Sequence, residues 1–134
     1  MNKILETKNV IVWFDAAKQF QKNSWTDNEY DIADNEIKET ISLCADLISK
    51  NRPKFYLADD SNRQFPYNVD IQNWIAATLA EACIKGGVAK FAVLMPADIL
   101  SELSTEQVGD EIGQVPFKFK YFQSETMALN WLFE

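Results

Sequence analysis

The hydrophobic period of this chain changes from two to 3.6 after Trp25, and from there helical and extended segments alternate to its end. That alternation constrains the fold more than any other feature, because strands joined by crossover helices become parallel neighbours in one sheet. Before the change stand three β-rich segments, Lys3–Thr7, Val10–Asp15 and about Gln19–Trp25. The polar breaks between them, Thr7-Lys8-Asn9 and Asp15-Ala16-Ala17-Lys18, suit turns, so a small antiparallel meander is expected.

The first helical segment opens on Thr26 and Glu29, which have the spacing of a capping box. Tyr30, Ala33, Ile37, Ile41, Cys44 and Ile48 then recur at helical spacing, Leu47 widens the stripe, and Pro53 stops the helix. Lys54–Ala58 reads as a short strand. A second helix over about Val69–Lys85 has Asn68 or Asp70 to cap its start and Gly86-Gly87 to end it. Phe91–Met95 is an unbroken apolar run closed by Pro96, as expected of a strand buried on both faces. Asp98–Leu103 and Thr105–Ile112 read as a shorter helical stretch. Phe117–Tyr121 alternates aromatic residues with lysines, which suits an outer strand protected from edge pairing, and Ser124 caps a last helix through Trp131 and Leu132. The expectation is one α/β domain over residues 1–134. Its mixed sheet combines the N-terminal antiparallel meander with parallel βαβ strands at 54–58, 91–95 and 117–122, and helices pack on it.

The chain carries 13 Lys+Arg against 20 Asp+Glu, a net charge of −7. Residues Asp27 to Asp46 hold Asp27, Glu29, Asp31, Asp34, Glu36, Glu39 and Asp46 against Lys38, so one local element supplies most of the acidity. It reads as a solvated, dipole-compensating helix face, with a basic partner as the alternative. A chain without a clustered positive field is a poor candidate for nucleic-acid binding. No histidine is present, which removes the usual general base, zinc ligand and pH switch together. Charges in Met1–Lys8 interrupt any signal-peptide core, and no apolar run reaches the length of a membrane span, so a cytoplasmic protein is expected. Cys44 and Cys83 lack metal-type spacing and read as buried thiols.

Few residues are arranged for chemistry. The four glycines form no phosphate-binding loop, and no cofactor or transition-metal site is expected. Asp15, Asp59 and Asp60 at strand ends give at most a weak magnesium rim, since acids there usually form turns. The segment Asp59-Asp60-Ser61-Asn62-Arg63 leaves the carboxyl end of a parallel strand, where open α/β sheets bind ligands. Ser61 is a candidate phosphoacceptor with Asp59, Asp60 and Arg63 as polar partners, or else one corner of a turn. As a nucleophile Ser61 lacks an activating base. Phe65-Pro66-Tyr67 puts rings in a loop, which implies that they cover a pocket or a partner. Trp13, Trp25 and Trp74 are candidates to line an apolar cavity with them, or to be core.

Val10-Ile11-Val12-Trp13-Phe14-Asp15, Tyr56-Leu57-Ala58-Asp59-Asp60-Ser61, Trp74, Phe91-Ala92-Val93-Leu94-Met95-Pro96, Tyr121-Phe122 and Ala128-Leu129-Asn130-Trp131-Leu132 together resemble the SpoIIAA-like, STAS-related group of small bacterial proteins. The resemblance spans nearly the whole chain in element order. It implies a STAS-like α/β fold, frequently homodimeric and without demonstrated enzymatic activity, that works by binding a protein partner or an apolar small molecule. It also implies a second reading, a phosphorylation-switched anti-anti-sigma-type regulator. The matching serine is Ser61, although Asn62 and Arg63 stand where the regulators carry a small residue and glycine. An enzyme using the loop carboxylates is the third reading.

Overall fold

Six strands lie side by side in chain order: β1 (Asn2–Glu6), β2 (Val10–Asp15), β3 (Phe20–Trp25), β4 (Phe55–Asp59), β5 (Lys90–Leu94) and β6 (Lys118–Phe122). The computed structural model describes residues 1–26, 32–96 and 115–134. β1, β2 and β3 pair antiparallel, and β3, β4, β5 and β6 pair parallel. The expected meander and parallel half are thus joined at β3, which belongs to both. The helical stretch expected at 98–112 falls outside the described residues.

Two helices, α1 (Asp34–Asn51) and α2 (Val69–Gly86), carry the chain from β3 to β4 and from β4 to β5. When each right-handed crossover advances by one strand in the same direction, its helix must fall on the same face of the sheet. α1 and α2 accordingly bury Ile37, Ile41, Ile48, Ile71, Ile75 and Leu79 against Tyr56, Phe91 and Val93. α3 (Glu125–Leu132) follows β6 and covers the opposite face, where Ala128 and Leu132 meet Phe20, Leu57, Ala92, Leu94 and Phe122. Because side chains alternate along a strand, β4 and β5 feed both cores at once, and this is why Phe91–Leu94 has no polar residue. β6 is the outer strand, with Lys118 and Lys120 exposed and Phe119 and Tyr121 half-buried.

Local signals set most of the element ends. Asn68 caps α2 by accepting the Ile71 N–H at 2.9 Å, and Gly87 ends it at φ +73°. Ser124 caps α3. The expected capping box pairs Thr26 with Glu29, which falls outside the described residues. Thr26 itself extends the end of β3, donating its N–H to the Asn9 carbonyl and its hydroxyl to the Lys8 carbonyl. The helix begins eight residues later with Ala33 at its N-cap and no side-chain cap. Of the acidic stretch, Asp34, Glu39 and Asp46 are exposed on α1, while Glu36 is tied to Asn9 at 2.8 Å and to Lys8 at 3.4 Å. Asp27, Glu29 and Asp31 lie outside the described residues.

Candidate functional site

The carboxyl ends of β3, β4 and β5 converge on the loop 60–68 that leads into α2. This loop is held from within. Asp60 donates its N–H to the Leu94 carbonyl at 3.0 Å, and its carboxylate takes the Arg63 Nε at 3.2 Å. Arg63 is only 1% exposed. Its guanidinium also donates to the Phe65 carbonyl and stacks 3.8 Å from the centre of the Tyr67 ring. Phe65 meets Trp25 edge-on with centroids 5.1 Å apart. The rings of Phe65 and Tyr67 are therefore buried rather than displayed, and the cost of exposing them does not arise.

Beneath this loop lies a cavity of about 40 Å³ between the sheet and the helix pair α1 and α2. Ile41, Ile75, Leu79, Phe91 and Val93 give it apolar walls, and Trp25 and Tyr67 close its end toward the loop. Asn23, Thr40, Cys44, Tyr56 and Asp60 supply its polar atoms. The register brings Asn23 and Ala58 side by side, with Gln21 beside Tyr56 one step below on the same face. Burial pushes the Cys44 thiol up to about 12, with the charge of Asp60 adding to the effect. Burial likewise drives the phenols of Tyr56 and Tyr67 well above their ordinary range. All three groups keep their protons at neutral pH, and the one carboxylate in the lining among the described residues, Asp60, is matched by Arg63. The lining is electrically neutral.

A buried hydrogen-bond chain runs along this floor. Gln21 Nε2 donates to the Cys44 carbonyl at 3.4 Å and to Asn23 Oδ1 at 3.1 Å. Asn23 Nδ2 donates in turn to the Tyr56 hydroxyl oxygen at 2.5 Å. Gln21 is wholly buried, and its Oε1 has no partner among the described residues. Fully buried glutamine in a strand is a departure from ordinary core chemistry that the sequence displays only as one polar letter in a β-rich segment.

Ser61, the candidate phosphoacceptor, donates its hydroxyl to Asp59 Oδ1 at 2.5 Å and its N–H to the same oxygen at 3.0 Å. Asp59 Oδ2 accepts from Ser24 Oγ at 2.9 Å, with Lys22 Nζ at 3.8 Å. Ser61 is a turn residue anchored on a buried carboxylate, and α2 begins eight positions beyond it. A phosphate placed there would meet like charge and no helix N-terminus. The structure separates the other candidates as well. Trp13 pairs with Lys22 in the β2–β3 register and carries the Lys22 ammonium 5.2 Å from its ring, on the α3 face of the sheet. Trp25 sits on the other face, so the two cannot line one cavity. Trp74 is half-buried between α1 and α2, beneath Lys38, outside the cavity lining. Asp15 pairs with Phe20 at the amino end of the parallel strands, about 13 Å along the sheet from Asp59 on strand rise alone. It accepts the Lys18 N–H within its own turn at 3.1 Å. The magnesium rim is thereby dismantled, and no group of three potential metal ligands gathers among the described residues.

Cys44 and Cys83 are both buried free thiols, as expected. No helix among the described residues is long and apolar enough to cross a membrane. Comparison of the chain with protein-family models, with curated proteins and with solved structures finds no match.

Proposed function

We propose that this protein is a non-catalytic binding module, of the STAS or SpoIIAA-like kind by its element order, whose small-molecule ligand occupies the cavity between the sheet and α1 and α2. The observation that carries the reading is the convergence of apolar walls with several buried polar groups at the carboxyl end of the parallel strands, where open α/β sheets place ligands. Catalysis has less support. Asp59 and Asp60 are committed to Ser24, Ser61 and Arg63, and the thiol and phenols of the lining are held protonated. The Ser61 phosphoswitch is disfavoured by Asp59, and a homodimer is an independent expectation that the cavity does not require.

Size narrows the ligand class. About 40 Å³ is room for roughly three waters, which corresponds to a molecule of about five non-hydrogen atoms. Binding of so small a ligand is limited to modest affinity, so a method that reads fast exchange is needed. The test is an NMR titration with 2-butanone and with 2-methyl-1-butene, which replaces the carbonyl oxygen by a methylene. Saturable shifts centred on Ile41, Ile75, Leu79 and Val93, lost in the cavity-filling variant Ala58→Ile, are expected. Shifts scattered over the surface, or shifts that survive the filling, would refute the reading.

A further inference from the structure

We infer that the Tyr56 hydroxyl is the recognition group of the cavity, and that it selects a small uncharged ligand bearing a hydrogen-bond acceptor such as a carbonyl oxygen. The inference rests on the cavity being a ligand site, and goes beyond that reading by naming the chemistry the site discriminates.

The direction of the buried hydrogen-bond chain carries the argument. A main-chain carbonyl only accepts, so the Cys44 carbonyl orients the Gln21 amide with its nitrogen inward. That nitrogen also donates to Asn23, which must therefore present its oxygen to Gln21 and its nitrogen to Tyr56. The phenol oxygen receives that hydrogen, and its own proton is left to donate. Tyr56 has no acceptor for it among the described residues, although the ring is only 1% exposed and lines the cavity. Two other polar groups in the lining are committed. The Thr40 hydroxyl donates to the Glu36 carbonyl at 2.9 Å, and Asp60 is neutralised by Arg63. A buried donor without an acceptor discriminates strongly in favour of the molecule that supplies one, because the alternative leaves it unpaired. The neutral lining excludes anions and cations alike.

The experiment compares the affinities of 2-butanone and 2-methyl-1-butene for the wild-type protein and for Tyr56→Phe by NMR titration. The ketone-to-alkene affinity ratio is expected to fall about tenfold in the variant, with alkene binding retained. An unchanged ratio, with both probes still bound, overturns the assignment of Tyr56 and leaves the cavity as a ligand site. Failure of both probes to bind the wild-type protein overturns the assignment and the binding-module reading together. A wild-type measurement guards against misfolding of the variant: the Cζ resonance of 13C-labelled Tyr56 is expected to move on adding the ketone and to stay in place on adding the alkene. Equal movement with both probes, or none with either, counts against the proposal.

Discussion

Arg63 holds the β4–α2 loop through an ion pair, a main-chain hydrogen bond and a stacked ring, all out of water. Truncating one partner of a buried pair leaves the other charge unmatched. Arg63→Ala is therefore expected to cost about 3–5 kcal/mol in urea unfolding, and to shift the Trp25 emission as the loop loosens. A loss below about 1 kcal/mol would mean that the guanidinium is solvated in the native state. The loop was legible in the sequence as a polar segment at a strand end, and Asp60 with Arg63 as partners. Its burial was not legible, because a buried arginine and an exposed one look alike until the rings around it are placed. Tyr56 shows the same limit more sharply. It reads as an aromatic residue of a short strand, and only the register beside Gln21 and Asn23 reveals a phenol in a polar chain.

Gly86 sits where α2 approaches the end of α1, and a Cβ added there would lie 2.9 Å from the Ile48 carbonyl oxygen and 3.1 Å from its Cγ2. Gly→Ala inside a helix ordinarily stabilises by up to about 1 kcal/mol through propensity. At Gly86 the contact with main chain reverses the sign, and a net loss of about 1–3 kcal/mol in chemical denaturation is expected. A gain in stability would show that the helices separate freely. Asn68→Ala removes the α2 cap and is expected to cost about 1 kcal/mol by the same measurement. Caps of this sort were readable at Asn68 and Ser124 because the partners lie three residues apart on the chain. The start of α1 was placed too early for a related reason: the spacing of Thr26 and Glu29 is a local signal, whereas Thr26 bonds Lys8 and Asn9 across the meander and α1 begins only at Asp34. Element order and strand positions were legible throughout the described residues, since period and turn residues are local signals. Which face each tryptophan occupies depended on register. Trp13 and Trp25 lie on strands that look equally apolar, and the β2–β3 pairing sends them to opposite sides.

At the scale of the whole molecule, the absence of histidine has a measurable consequence. Stability is expected to stay nearly flat from about pH 6 to 8, where no side chain has its ordinary pKa. On the alkaline side, an unfolded thiol loses its proton near its ordinary value of 9.0, while folded Cys44 keeps it to about 12. Between those values the unfolded chain binds fewer protons, so the melting temperature falls as pH rises through that window, with Cys83 adding to the loss. On the acid side, the hydrogen bond from Asn9 holds Glu36 below 4.5, so its contribution is present above that pH and disappears as pH drops beneath it. Calorimetry across pH 2 to 11 reads both limbs, and a steep slope between pH 6 and 8 would contradict this account. The same neutrality reaches the cavity, whose lining offers shape, apolar walls and the Tyr56 hydroxyl proton. Its occupancy is the central claim, and a crystal pressurised with xenon tests it most directly, because xenon seeks enclosed apolar space without needing any partner. The account predicts one dominant xenon site bounded by Trp25, Ile41, Leu79 and Phe91, abolished in Ala58→Ile. Xenon bound only elsewhere, or not at all, would contradict it.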